Sequence, residues 1–107
     1  MNAHEPVRDK KMIFDSLENI RNELLMLGVI SLGLFGSFVR GEQNDESDVD
    51  FIVEFSEEKR TFDNFMELSF LLEDLLGRSV EIITAEAMSP YILPKVLEEV
   101  ENFNVAA

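Results

Sequence analysis

The stretch Gly36–Phe55 constrains this chain more than any other. It opens with Gly36-Ser37 at the end of an apolar run and, ten residues on, sets Asp48 and Asp50 at the head of a second apolar run. In a strand over Asp48–Phe55 successive side chains point to opposite faces. Val49, Phe51, Val53 and Phe55 then make one apolar face, and Asp48 and Asp50 project together from the other. Neighbouring acids repel and are poor strand formers, so a fold alone gives little reason to place them there. A divalent metal ion does, because hard cations such as Mg²⁺ take carboxylate oxygens. At the other end, a glycine after a strand lets the backbone turn and approach a ligand closely. A serine there offers its hydroxyl while the N–H groups of a following helical turn point at an anion. Phosphate at one end and metal-binding acids at the other describe a nucleoside triphosphate site.

The surrounding pattern supplies a frame. Residues 1–6 read as a loose lead-in. From Val7 to Leu27 the apolar residues Ile13, Leu17, Ile20, Leu24 and Leu27 fall in steps of four, three, four and three, one stripe of a helix that Gly28 stops. Val29–Phe35 reads as a buried strand. Gly36–Glu42 forms a short helical turn and Glu42–Ser47 a polar loop. After the Asp48–Phe55 strand and a loop over Ser56–Arg60, Thr61 is placed to cap a helix bearing Phe62, Phe65, Met66, Leu68, Leu72, Leu75 and Leu76, which Gly77 ends. Ser79–Thr84 reads as a third strand, with Thr84 capping a turn over Ala85–Met88. A last helix starts near Pro90, with Ile92, Val96, Val100 and Phe103 as its inner stripe and Pro94 disturbing its first turn. The brief connection between the first two strands favours an antiparallel neighbour pair, because a parallel crossover needs a dozen or more residues. The helix between the second and third strands permits a parallel crossover, which would set Glu81 beside the two aspartates.

Composition narrows the function. The 107 residues suit one domain. At 46% hydrophobic with nine Phe the chain is expected to fold. The 22 acidic and 9 basic residues leave a net charge of −13, which disfavours an extended nucleic-acid surface, since phosphate backbones are held by Lys and Arg. A basic protein partner, or metal ions at an acidic cleft, suits that charge. With no cysteine, disulfides and cysteine-bound zinc are excluded. The N-terminus lacks a signal-peptide layout, and the uncharged stretch Leu24–Val39 is short for a membrane span and interrupted by glycines, so a cytoplasmic protein is expected. His4, the only histidine, reads as a tail residue. Tyr91, the only tyrosine, is either packed at a helix start or modified by the protein itself.

Gly36-Ser37, ten residues, then Asp48-Val49-Asp50 resembles the signature of the polymerase β-type nucleotidyltransferase superfamily. Arg40-Gly41 in the spacer, Ser47 before the first acid and Phe51 after the second are also usual there. Ser89-Pro90-Tyr91-Ile92-Leu93-Pro94 resembles the tail of the small stand-alone members, the minimal nucleotidyltransferases. The resemblance spans roughly Ile30 to Leu97. It implies an α/β (α+β) palm-like domain, a small mixed sheet of about three strands with flanking helices. It also implies an enzyme that transfers AMP from ATP, with two Mg²⁺ ions, to a tyrosine hydroxyl of a HEPN-domain toxin, acting as antitoxin. On this resemblance Asp48, Asp50 and Glu81 are the catalytic and metal-holding residues. Gly36 N–H and the Ser37 hydroxyl fix the β- and γ-phosphates; Arg40 either adds charge near them or pairs with Glu42 or Asp45. One position departs: Glu81 stands where the family usually has a third aspartate, and its extra methylene shifts the carboxylate by about 1.5 Å. The alternative of another class is an acidic antitoxin that neutralises its toxin by binding alone. Transfer to a small molecule such as an aminoglycoside is a third option, disfavoured because those enzymes carry an extra acceptor-binding domain.

Overall fold

The structure, a computed structural model, describes residues 5–106; His4 and most of the expected lead-in lie outside them. Val7 does not belong to the first helix. It is buried, its N–H donates to Leu76 O at 3.0 Å and its carbonyl accepts from Arg78 Nε at 2.7 Å, so the chain is pinned before helix α1 begins. Asp9 caps α1 (Lys10–Asn19) by accepting from Met12 N. The expected single helix is broken at Ile20, where φ −116° and ψ 20° leave the helical region, and resumes as α2 (Arg21–Met26). The break redirects Arg21, whose Nη1 donates to the carbonyls of Asn104 and Val105 and whose guanidinium lies 4.6 Å from the Phe103 ring centroid. Ile13, Leu17, Ile20 and Leu24 remain buried, so the stripe survives the break.

Gly28, at φ +82°, ends α2 and feeds β1 (Val29–Phe35). A one-turn helix α3 (Ser37–Arg40) and a polar loop lead to β2 (Val49–Phe55). After a 3₁₀ turn at Glu57–Lys59, Thr61 caps α4 (Phe62–Leu76), its hydroxyl accepting from Asn64 N at 3.1 Å, and Gly77 at φ +67° ends it. β3 (Val80–Thr84) follows, then a 3₁₀ turn at Ala85–Ala87, in which Thr84 makes no side-chain cap.

The C-terminal stretch departs from the sequence reading. Helix α5 starts at Leu93, with Pro94 in its first turn and Pro90 left in the turn before it, and ends at Glu99. Residues Glu101–Asn104 form a fourth strand, β4, antiparallel to β1. The spacing Ile92, Val96, Val100, Phe103 is helical, but only Val96 of the four is buried on α5, and Ile92 is exposed. Phe103 is buried on β4 instead, 6.5 Å from Phe14. Pairing decides the conformation: without β4, β1 would be an unpaired edge, a row of backbone donors and acceptors without partners.

The sheet order is β3-β2-β1-β4, with β1 antiparallel to both neighbours and β2 parallel to β3. On one face Leu32 and Leu34 of β1 and Val49, Phe51, Val53 and Phe55 of β2 join Ile13, Leu17, Leu68, Leu72 and Leu76 of the helices in the main core. The other face carries Asp50 and is open toward the end of α5. Val96 and Met88 are buried outside the main core. Gly33 leaves room for the side chains around it, for a Cβ there would lie 2.5 Å from Val100 Cγ2 and 2.8 Å from Cγ2 of Ile52, its partner on β2.

Candidate active site

The acids take their places from β2. Burial of Val49, Phe51 and Val53 turns Asp50 to the open face, half-buried, while Asp48 stands exposed just before the strand. The parallel register sets Glu81 of β3 directly beside Asp50, the neighbour that a crossover through α4 permits. The β1–β2 register sets Phe35 opposite Asp50 and so delivers Gly36 to its flank. Gly36 has φ +86° and ψ −153°, a backbone conformation essentially confined to glycine. A Cβ there would lie 2.4 Å from Asp50 Oδ2, so the carboxylate rests against bare backbone. Both facts demand glycine at this position.

The charge balance is one-sided. Burial raises the Asp50 carboxyl above its usual range, and the negative charges of Glu81 and then Asp48 raise it further, to about 6. Arg40 lowers it, but Arg40 is already engaged: its Nε donates to Glu42 Oε1 at 2.9 Å and its Nη1 to Glu99 at 3.1 and 3.2 Å. Of the loop acids that the sequence offers it, Arg40 takes Glu42. Gly36 N–H, a donor that the sequence reading assigns to phosphate, donates at 2.7 Å to Glu99 Oε2. Ser37 is half-buried at the start of α3, beside this turn.

Glu99 is therefore part of this corner, and the sequence reading missed it. It lies among Glu98, Glu101 and other acids, and nothing in local spacing marks it. Only the β1–β4 register could have found it: Leu34 pairs with Glu101, and continuing two residues sets Glu99 opposite Gly36.

Along the open face from Asp50, a cleft of about 460 Å³ is bordered by Ile52, Glu54, Thr84, Leu97 and Asn102. Ile52 and Glu54 lie on the same face of β2 as Asp50, but none of Asp48, Asp50, Glu81, Gly36 or Ser37 borders the cleft. Among the described residues no three acidic or histidine side chains stand close enough to ligate an ion by themselves. The donor set still suits a hard divalent cation. Asp50 carries an electrostatic penalty from its acidic neighbours that a cation relieves, and oxygens of a bound phosphate chain can complete the coordination.

Comparison with known proteins places the frame. The nucleotidyltransferase domain family model matches residues 17–101. Protein adenylyltransferase MntA of Thermococcus cleftensis is 44% identical over 73 residues, 68% of this chain and 73% of its own. MJ0435 of Methanocaldococcus jannaschii, provisionally named a protein adenylyltransferase, is 38% identical over 76 residues, 71% of this chain and 81% of its own. A solved structure provisionally described as a minimal nucleotidyltransferase superposes with a TM-score of 0.76 at 31% identity, covering 88% of this chain and 95% of its own. A toxin–antitoxin crystal structure with AMP-PNP shares the fold, with a TM-score of 0.59 at 22% identity over 77% of this chain and 70% of its own.

Proposed function

The chain belongs to the nucleotidyltransferase domain family, and from that premise we propose that it transfers AMP from ATP to a tyrosine hydroxyl of a HEPN-class toxin protein, acting as its antitoxin. The observation that carries the reading is the alignment of Asp50 with Glu81 on neighbouring parallel strands, against the bare backbone of Gly36. The name of the Thermococcus relative supports adenylyl transfer to a protein.

Asp48 and Asp50, with Glu81, would hold Mg²⁺ together with the triphosphate. Bound there, Mg²⁺ supplies the positive charge that offsets the phosphates and polarises them for displacement. Ser37 offers its hydroxyl to the β- and γ-phosphates at the turn that Gly36 makes. The acceptor approaches over the open face. Its hydroxyl oxygen bonds to the α-phosphorus, its proton passes to the Glu81 carboxylate, and the bond to the pyrophosphate oxygen breaks. Orientation and charge compensation account for the catalysis; the protein forms no covalent intermediate.

The toxin partner suits two surface features. The charge of −13 attracts a basic protein. Tyr91, Ile92 and Leu97, on and before α5, leave 86%, 54% and 56% of their surface exposed, and Leu97 borders the cleft. Co-expression with the toxin tests the reading against neutralisation by contact alone. Replacing Asp48 and Asp50 together by Asn abolishes protection if AMP transfer silences the toxin. Protection that survives the double change, only weakened, contradicts it.

A further inference from the structure

We infer that Glu99 is a positioning residue for nucleotide binding: from outside the motif, it holds the Gly36 turn and the Arg40 guanidinium in place. The role rests on the nucleotide-transfer reading above.

Gly36 occupies a backbone conformation that only glycine adopts readily, so the chain turns at this residue. It is also buried, so its N–H needs a partner. In the β1–β4 ladder that partner would come from the residue opposite, which is Glu99 by register. There, however, the chain has left the strand, for Glu99 is the last residue of α5. Its side chain supplies what the ladder lacks: Oε2 accepts Gly36 N–H at 2.7 Å. The same carboxylate receives Arg40 Nη1 on both oxygens, at 3.1 and 3.2 Å. One side chain thus fixes the first residue of the turn and the cation at the end of α3. Because Asp50 Oδ2 packs against Gly36, a displaced turn also disturbs the seat of a metal-holding acid. A carboxylate that instead blocked donors needed by phosphate would weaken binding, so the sign of the effect of removing it separates the two roles.

The test uses the full chain, Glu99→Ala and Glu99→Gln, a non-hydrolysable ATP analogue with Mg²⁺, and hydrogen exchange at the Gly36 amide. Glu99→Ala is expected to lose about tenfold or more in analogue affinity, the scale of a lost charge-assisted hydrogen bond, while the Gly36 amide exchanges faster. Glu99→Gln keeps an oxygen acceptor at the same reach and should stay within about threefold of native with the amide still protected. If Glu99→Ala does not fold, Glu99→Asp replaces it: its shorter side chain withdraws the oxygen and should bind worse than Glu99→Gln. An alanine variant that binds as well as native or tighter overturns the role, as does a glutamine variant as weak as alanine. A native chain that does not bind the analogue sinks the functional reading, and this role with it; native binding with an unaffected alanine variant sinks only the role.

Discussion

Asp50 is held where its own charge is unwelcome. Its carboxyl titrates near 6 against an ordinary 3.8, through burial first and Glu81 and Asp48 next. A carboxyl whose pKa is higher folded than unfolded binds its extra proton in the folded state. This group therefore contributes stability that is fully present below about pH 4 and is lost as pH rises from there through 6. Asp50→Asn should make the metal-free chain more stable at pH 7, by on the order of 1 kcal/mol once solvent screening of a half-exposed group is allowed for. Urea denaturation at pH 7 and pH 5 checks this: the gap between variant and native should narrow at the lower pH, and a variant less stable than native at pH 7 contradicts it. Gly36→Ala, which meets both the positive φ and the Asp50 oxygen, should cost more than about 1 kcal/mol in denaturant melts and eliminate nucleotide binding. The glycine and the paired acids were legible in the sequence because their types and spacing are costly without a ligand. Glu99 was not, because its importance comes from a strand pairing between distant segments.

Among the elements, α4 sets the parallel register of β2 and β3, and so brings Glu81 to Asp50. Its start, stripe and stop were readable as Thr61, Leu68–Leu72–Leu76 and Gly77, each a local signal with a local cause. Thr61→Ala should lower stability by about 1 kcal/mol through loss of the Asn64 N–H cap, with nucleotide affinity unchanged; thermal melting and analogue titration measure the two separately. β1 and β2 were legible for the same reason, a short apolar run or a strict alternation between punctuating residues. The C-terminus was not. Val96, Val100 and Phe103 fit a helix by spacing, yet the edge of β1 draws the last of them into a strand, and tertiary pairing overrides a helical period. The break at Ile20 has a similar origin, since Arg21 turns to carbonyls that only the β4 connection places there.

For the whole molecule, the sheet divides the work. One face is sealed by the N-terminal helices and α4, while the other exposes acids, a cleft and the apolar residues around α5. A catalytic surface left open on a small domain suits an acceptor that arrives as part of another protein. Changing Tyr91 and Ile92 together to Asp should weaken capture of the toxin in a pull-down while leaving ATP-analogue affinity unchanged, and equal capture by both versions would remove α5 from the docking surface. The central claim is AMP transfer to a protein by Asp48 and Asp50. Its most direct test is the intact mass of the toxin after incubation with this chain, ATP and Mg²⁺, with the Asp48→Asn/Asp50→Asn variant alongside. The account predicts a gain of one or more AMP units on a tyrosine, seen only with the native acids. A stable complex formed by both versions, with no gain in mass from either, would contradict it.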